Sequence, residues 1–193
     1  MNDARPLFGK VRTIVQSTYK ETILRAIINV TMTNAVFTMS FSVGPDDIDL
    51  LNHVNNRVYL RWMEEAATAH AARCGWTFGD LKKVNRAWVA RQHWIEYLKP
   101  ALLGDNLTLY TWVQSSKRFS SLRRYALKRG NELLTVGATE WVLINLEKRT
   151  PVSCDLPSEA ALVDCFDALA PGHPALKTLG LVRMVRFAPS PGL

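Results

Sequence analysis

The residues best suited to chemistry stand together between Asp46 and Ala66, in the stretch DDIDLLNHVNNRVYLRWMEEA. Asp47 and Asp49 supply carboxylates, His53 an imidazole, and Asn55 and Asn56 are of the type that starts helices. A helix start leaves backbone N–H groups without intrahelical acceptors and carries a partial positive charge, so it can polarise a carbonyl brought against it. A carboxylate a few residues upstream can attack such a carbonyl, or activate water to do so. Together these parts suit cleavage of an ester-like bond. The same residue types also build turns and cap helices, which is their commoner use, and spacing alone does not separate the two readings.

Such groups need one element to deliver them and another to present its amides. Upstream, Val36, Met39, Phe41 and Val43 mark a strand that ends at Gly44-Pro45. Downstream of Asn55-Asn56, residues Tyr59, Trp62, Met63, Ala66, Ala67, His70 and Cys74 recur on one helical face, and Gly75 is a natural stop. Alanines at 66, 67, 69, 71 and 72 allow this helix a close approach to a partner layer, with Arg57, Arg61 and Glu65 turned to solvent. Four further strands are predicted, Ala87 to Leu98, Leu107 to Ser115, Leu122 to Lys128 and Leu133 to Leu146, with turns at Lys99-Pro100, Gly104-Asp105 and Gly130-Asn131. One strand, one long helix and consecutive strands make an α+β pattern.

Residues 1–32 read as an N-terminal extension, in which Val15, Tyr19, Ile23 and Ile27 recur every four residues as in an amphipathic helix. Residues 33–157 form the main domain. Residues 158–193 follow as a helix from Ser158 to Leu169 and then an irregular, proline-rich tail from Pro171.

A chain of 193 residues, 48% of them hydrophobic, supports one sizeable core. Its three cysteines show no CxxC spacing, which points to a reducing, cytoplasmic setting and away from a disulfide framework or a zinc site. Nothing near the N-terminus has the compact apolar block and cleavage site of a secretory signal. The uncharged run from Ala26 to Pro45 is broken by Asn29, Thr31, Thr33, Asn34, Thr38, Ser40 and Ser42, so no integral membrane segment is expected. A net charge of +7 and a pI near 9.5 attract polyanions in general, whether nucleic acid, phospholipid, an acidic carrier protein or a phosphate-rich cofactor.

The segment KRFSSLRRYALKR, with six basic residues, is either a phosphate-facing patch or a solvated hairpin face. Glu140 shares parity with Leu134, Val136, Ala138, Val142 and Ile144; a carboxylate in that row needs a partner or a role, unless a β-bulge changes the parity. His70 and His93 lack companions at metal-ligand spacing and read as core or interface histidines, and Cys74 as a small apolar filler. There is no GxSxG, so a serine hydrolase is not indicated.

The order Asp47-Ile48-Asp49, His53-Val54-Asn55-Asn56, Tyr59-Leu60 and Trp62, with Glu64 on the helix, resembles the signature of hotdog-fold acyl thioesterases. The similarity is to the 4-hydroxybenzoyl-CoA thioesterase and acyl-acyl carrier protein thioesterase groups. It extends through Tyr97-Leu98-Lys99-Pro100, Gly104-Asp105, Trp141-Val142 and Arg149-Thr150-Pro151. The resemblance implies an antiparallel sheet wrapped around the long helix, and a homodimer or dimer of dimers with its active site at the subunit interface. It implies hydrolysis of an acyl thioester of coenzyme A or acyl carrier protein, without metal or cofactor. By the same resemblance Asp49 is the catalytic carboxylate, the Asn56 amide holds the carbonyl oxygen, and His53 aligns with a histidine catalytic in the plant-type enzymes. Those enzymes carry an asparagine where this chain has Leu51, so their full set is absent. Asn55, Tyr59 and Glu64 are expected around the substrate, Glu64 in a supporting role. The rival readings are a hotdog hydratase or dehydratase and a non-catalytic acyl-binding protein. Nucleic-acid binding rests on net charge alone and is not expected.

Overall fold

The computed structural model describes residues 35–154 and 166–186. The expected N-terminal helix and most of the Ser158 to Leu169 helix lie outside them.

Strand β1 (Val36–Ser42) leads through one 3-10 turn (Pro45–Asp47) to helix α1 (Asn56–Arg73). A short helix α2 (Phe78–Lys83) follows, then strands β2 (Arg86–Tyr97), β3 (Asn106–Ser116), β4 (Ser120–Arg129) and β5 (Glu132–Asn145). All five strands predicted from the alternation of side chains are present. Helix α2 was not anticipated; its signal is local, since Thr77 and Asp80 form a capping box at its start.

The strands make one antiparallel sheet in the order β1-β3-β4-β5-β2. Helix α1 lies across one face, with Tyr59, Trp62, Met63, Ala66, Ala67 and His70 buried, as the helical spacing predicts. They pack on Phe37, Met39, Leu109, Tyr125, Leu127 and Leu134. Gly137 on β5 lets the helix come close, because a Cβ there would stand 2.8 Å from Met63 Cε.

The opposite face is covered by the chain's own later residues. Leu169, Leu176 and Leu181 pack with Val36, Trp112 and Ala126, while Val185 packs with Leu122, Val136 and Ala138. Part of the tail predicted to be irregular is a short helix α3 (Pro174–Thr178), with His173 accepting the Ala175 N–H and proline in the first turn. Proline content concealed it, although proline suits a helix start.

The parity of β5 changes at Leu134. Leu127 pairs with Thr135 and Lys128 with Leu133, so Leu134 is the extra residue of a bulge. It joins the helix-side core, whereas Val136 and Ala138 face the other way. Glu140, only 18% exposed, meets Arg91 at 3.7 Å, which gives it the partner its position demands.

Candidate active site

The chain enters the site through a turn held by Asp47. Its Oδ2 accepts the Gly44 N–H at 3.1 Å, and its Oδ1 accepts from Arg61 Nη2 at 2.5 Å. Beyond it the backbone doubles back: Ile48 bridges Val54, the Asp49 N–H donates to the His53 carbonyl, and the Asn55 N–H donates to the Asp47 carbonyl, both at 2.9 Å. Asn52 closes the turn at φ 60°, a left-handed conformation that asparagine tolerates. Leu50 and Leu51 at the tip are 100% and 74% exposed.

This fold-back sets Asp49 beside the entrance to α1. Its Oδ1 accepts the Leu51 N–H at 2.9 Å, and its Oδ2 lies 3.4 Å from His53 Nδ1. The carboxylate is 23% exposed and reachable from solvent. The first acid of the pair is therefore structural, and the second is the one presented.

At the helix start, Asn55 is the N-cap: its Oδ1 accepts the Arg57 N–H at 3.0 Å and its carbonyl the Val58 N–H at 2.8 Å. Among the described residues the Asn56 N–H has no acceptor, and as the first residue of the helix it has none within α1. The Asn56 carbonyl accepts the Tyr97 hydroxyl at 3.1 Å, tying the helix start to the end of β2. No local pattern links residues so far apart in the chain.

Tyr59, expected near the substrate, sits in the core at 3% exposure. Its hydroxyl accepts the Ala101 N–H at 3.0 Å, and the Ala101 carbonyl accepts the Val54 N–H at 2.9 Å, so one loop braces both turn and helix. Burial raises the Tyr59 pKa, against the lowering effect of the Ala101 bond. Glu64 lies eight residues along α1, roughly 12 Å from Asn56. It looks toward β2, where its Oε1 is 3.7 Å from His93 Nε2. His93 Nδ1 is 2.9 Å from Thr139 Oγ1. Burial pushes the His93 pKa down while the Glu64 charge works upward. Glu64 and Asp49 are thus served by different parts of the helix.

The six basic residues of KRFSSLRRYALKR do not form a patch. Arg123 and Arg124 are buried, Arg123 against His70 on the helix side and Arg124 against Gln114 on the other. Lys128 donates to the Leu179 carbonyl, and Arg129 pairs with Asp105 at 2.7 Å and Glu132 at 2.6 Å. Strand alternation sends neighbouring arginines to opposite faces, which a count of charges does not register. Among the described residues no cluster of His, Cys, Asp or Glu could hold a metal ion, and no helix is long and apolar enough to cross a membrane.

Residues 34–159, more than half of the chain, match the family model described as acyl-ACP thioesterase N-terminal domain. YneP of Bacillus subtilis (strain 168), a protein named for acyl-CoA thioesterase activity, is 25% identical over 108 residues, covering 55% of this chain and 76% of its own. Among solved structures, a DHNA-CoA thioesterase from Staphylococcus aureus is similar with a TM-score of 0.61 at 19% identity, covering 78% of this chain and 99% of that one. An acyl-ACP thioesterase from Bacteroides thetaiotaomicron gives 0.63 at 23% identity, covering 72% of this chain and 58% of that one. These likenesses identify the fold as hotdog.

Proposed function

The chain belongs to the acyl-ACP thioesterase family and is an acyl thioester hydrolase, and we propose that Asp49 and the Asn56 amide carry out its chemistry on a thioester of coenzyme A or acyl carrier protein. The observation that carries this reading is the Asn56 N–H, which has no acceptor among the described residues while the Arg57 and Val58 amides beside it are bonded. An oriented donor at a helix start stabilises the negative charge that grows on a carbonyl oxygen under attack, an effect worth about 3 kcal/mol where such donors have been removed.

Two routes share this geometry. As general base, Asp49 takes a proton from water as the water oxygen bonds to the carbonyl carbon, and the sulfur departs with the electron pair of the broken bond. As nucleophile, Asp49 bonds to the carbonyl carbon itself, giving an acyl anhydride that water then opens. His53, 3.4 Å from the carboxylate, orients it in either case. Asn55 and Tyr59 hold the turn and helix in register around the substrate, and Glu64 supports the His93 side.

The catalytic unit is a homodimer. β2 is an edge strand whose residues Val89 to Gln92 are all exposed, offering unpaired backbone groups to a second copy.

The test is hydrolysis of a panel of acyl thioesters by the wild type and Asp49→Asn. Loss of at least 100-fold in kcat, with an unchanged melting temperature, is expected; unchanged turnover would overturn the assignment. Single-turnover hydrolysis in ¹⁸O-labelled water separates the routes, since label enters the Asp49 carboxylate only through the anhydride.

A further inference from the structure

The sheet face opposite α1 carries a charge that no neighbouring carboxylate balances. Arg124 on β4 stands directly opposite Trp112 on β3, and its Nε–H donates to Gln114 Oε1 at 2.8 Å. The three side chains are buried, at 5%, 0% and 3% exposure for Arg124, Trp112 and Gln114. The C-terminal segment covers them: Leu169, Leu176 and Leu181 pack with Trp112, and Val185 packs with Leu122 and Ala138, which flank Arg124 on β4 and face it from β5. Trp112 Nε1, Gln114 Nε2 and Arg124 Nη1 are buried with no hydrogen-bond partner among the described residues. One other buried side-chain atom of the described residues shares that state, Thr135 Oγ1, and Thr135 pairs with Leu127 on the helix side. The orphaned groups therefore gather on one patch of one face.

All three are donors. Indole and guanidinium nitrogens only donate, and the Arg124 Nε–H fixes the Gln114 amide with its oxygen toward the arginine and its NH2 group away. A guanidinium keeps its proton inside proteins, so the cost of burying it is relieved by a counter-charge and not by neutralisation. Burial lowers the Arg124 pKa, and no carboxylate works against it. The acids that β2 and β5 turn to this face are engaged elsewhere, Glu96 with Arg183 at 3.2 Å and Glu140 with Arg91 at 3.7 Å. Water accepts from such donors but brings two hydrogens that need acceptors in turn, and it leaves the charge as it was. An anion accepts from all three and balances the charge. The apolar packing of Leu122, Ala126, Ala138, Leu169 and Val185 limits it to a small ion.

We propose that Arg124, Gln114 and Trp112 bind a small inorganic anion of the size of chloride, and that its binding fastens the segment from Leu169 to Val185 over the sheet. The site lies on the face away from α1, so it stands or falls apart from the chemistry of Asp49. A ligand that binds only the folded chain raises its melting temperature by mass action. The full chain is melted over a series of sodium chloride concentrations, with sodium gluconate, too bulky for the site, holding the ionic strength constant. The melting temperature is expected to rise by roughly 3 °C or more across the series and to saturate. Arg124→Met keeps the length of the side chain and removes its charge, and is expected to abolish the chloride response whatever its own melting temperature. A flat response in the wild type, or an equal rise in Arg124→Met, would overturn the proposal.

A milder variant guards against loss of folding in Arg124→Met. Trp112→Phe keeps a ring and loses the N–H, and the chloride concentration giving half the rise is expected to increase about fivefold, the usual worth of one hydrogen bond; an unchanged midpoint would overturn the site as drawn. Bromide locates the ion directly, since anomalous diffraction from crystals grown in bromide is expected to show a peak within hydrogen-bond distance of Arg124 Nη1. Bromide found at the protein surface alone is an adventitious ion only and counts against the site. The link to the cover is read by amide exchange: residues 169–185 are expected to exchange more slowly in chloride than in gluconate in the wild type, with no difference in Arg124→Met. Equal exchange in both salts in the wild type would overturn the link.

Discussion

At the scale of single residues, the two aspartates differ in what surrounds them. Asp47 is engaged by the Gly44 N–H and Arg61, whereas Asp49 is presented at the mouth of α1. Asn56 allows its backbone to be tested apart from its side chain. Proline is tolerated at the first helical position, and Asn55 before it already has the extended conformation that proline requires, with φ −60° and ψ 135°. Asn56→Pro therefore removes the open N–H and keeps the helix, and kcat is expected to fall by about 100-fold or more while far-ultraviolet circular dichroism is unchanged. Glu64 and His93 form a second carboxylate–imidazole pair, 3.7 Å apart. Removing the Glu64 charge with Glu64→Gln should lower the His93 pKa further, observable as a shift in its imidazole NMR titration. Because the folded value already lies below the ordinary 6.5, the stability linked to neutral His93 is complete above that pH and is lost as pH falls through the folded value.

At the scale of elements, the seat of α1 on the sheet depends on one small residue. Gly137 faces Met63, and a Cβ there also stands 3.3 Å from the Trp94 carbonyl, which cannot move aside as a methionine tip can. Gly137→Val is expected to cost about 1–3 kcal/mol in denaturant unfolding through overpacking, and Gly137→Ala less, since Met63 can swing away. The helix cap is a second local device, and Asn55→Ala should lose about 1 kcal/mol, the usual worth of an N-cap. The strands and this helix were legible because their side-chain periods are short-range properties. The bulge at Leu134 was not, because an extra residue shows only against the strand that pairs with it.

At the scale of the whole molecule, the segment from Leu169 to Val185 seals the sheet face opposite α1. It is pinned by Glu96 on β2, whose carboxylate accepts the Arg186 N–H at 2.6 Å and an Arg183 N–H at 3.2 Å. The Arg186 bond, more than the arginine charges, holds the Glu96 pKa below its ordinary value of 4.5. That contribution is present above pH 4.5 and is lost as pH falls through the lower folded value. Amide exchange in residues 181–186 is therefore expected to quicken under acid in the wild type and at neutral pH in Glu96→Gln. The exposed edge of β2 makes a separate prediction: a charge at its exposed apolar residue, as in Val89→Glu, should oppose pairing with a second copy and halve the particle mass measured by light scattering.

The sequence by itself determined the α+β order, the helix that begins at Asn55-Asn56 and the gathering of acids before it, because turns, caps and periodic burial depend on near neighbours. Its motif also carried the family resemblance. Only the tertiary structure decided that Asp47 is engaged and Asp49 presented, that Tyr59 braces a loop from the core, and that the arginines of β4 divide between two faces. Those outcomes depend on which distant backbone or side chain arrives beside each group. Spacing along the chain does not encode that, and packing of α1 and the C-terminal segment on either side of one sheet does.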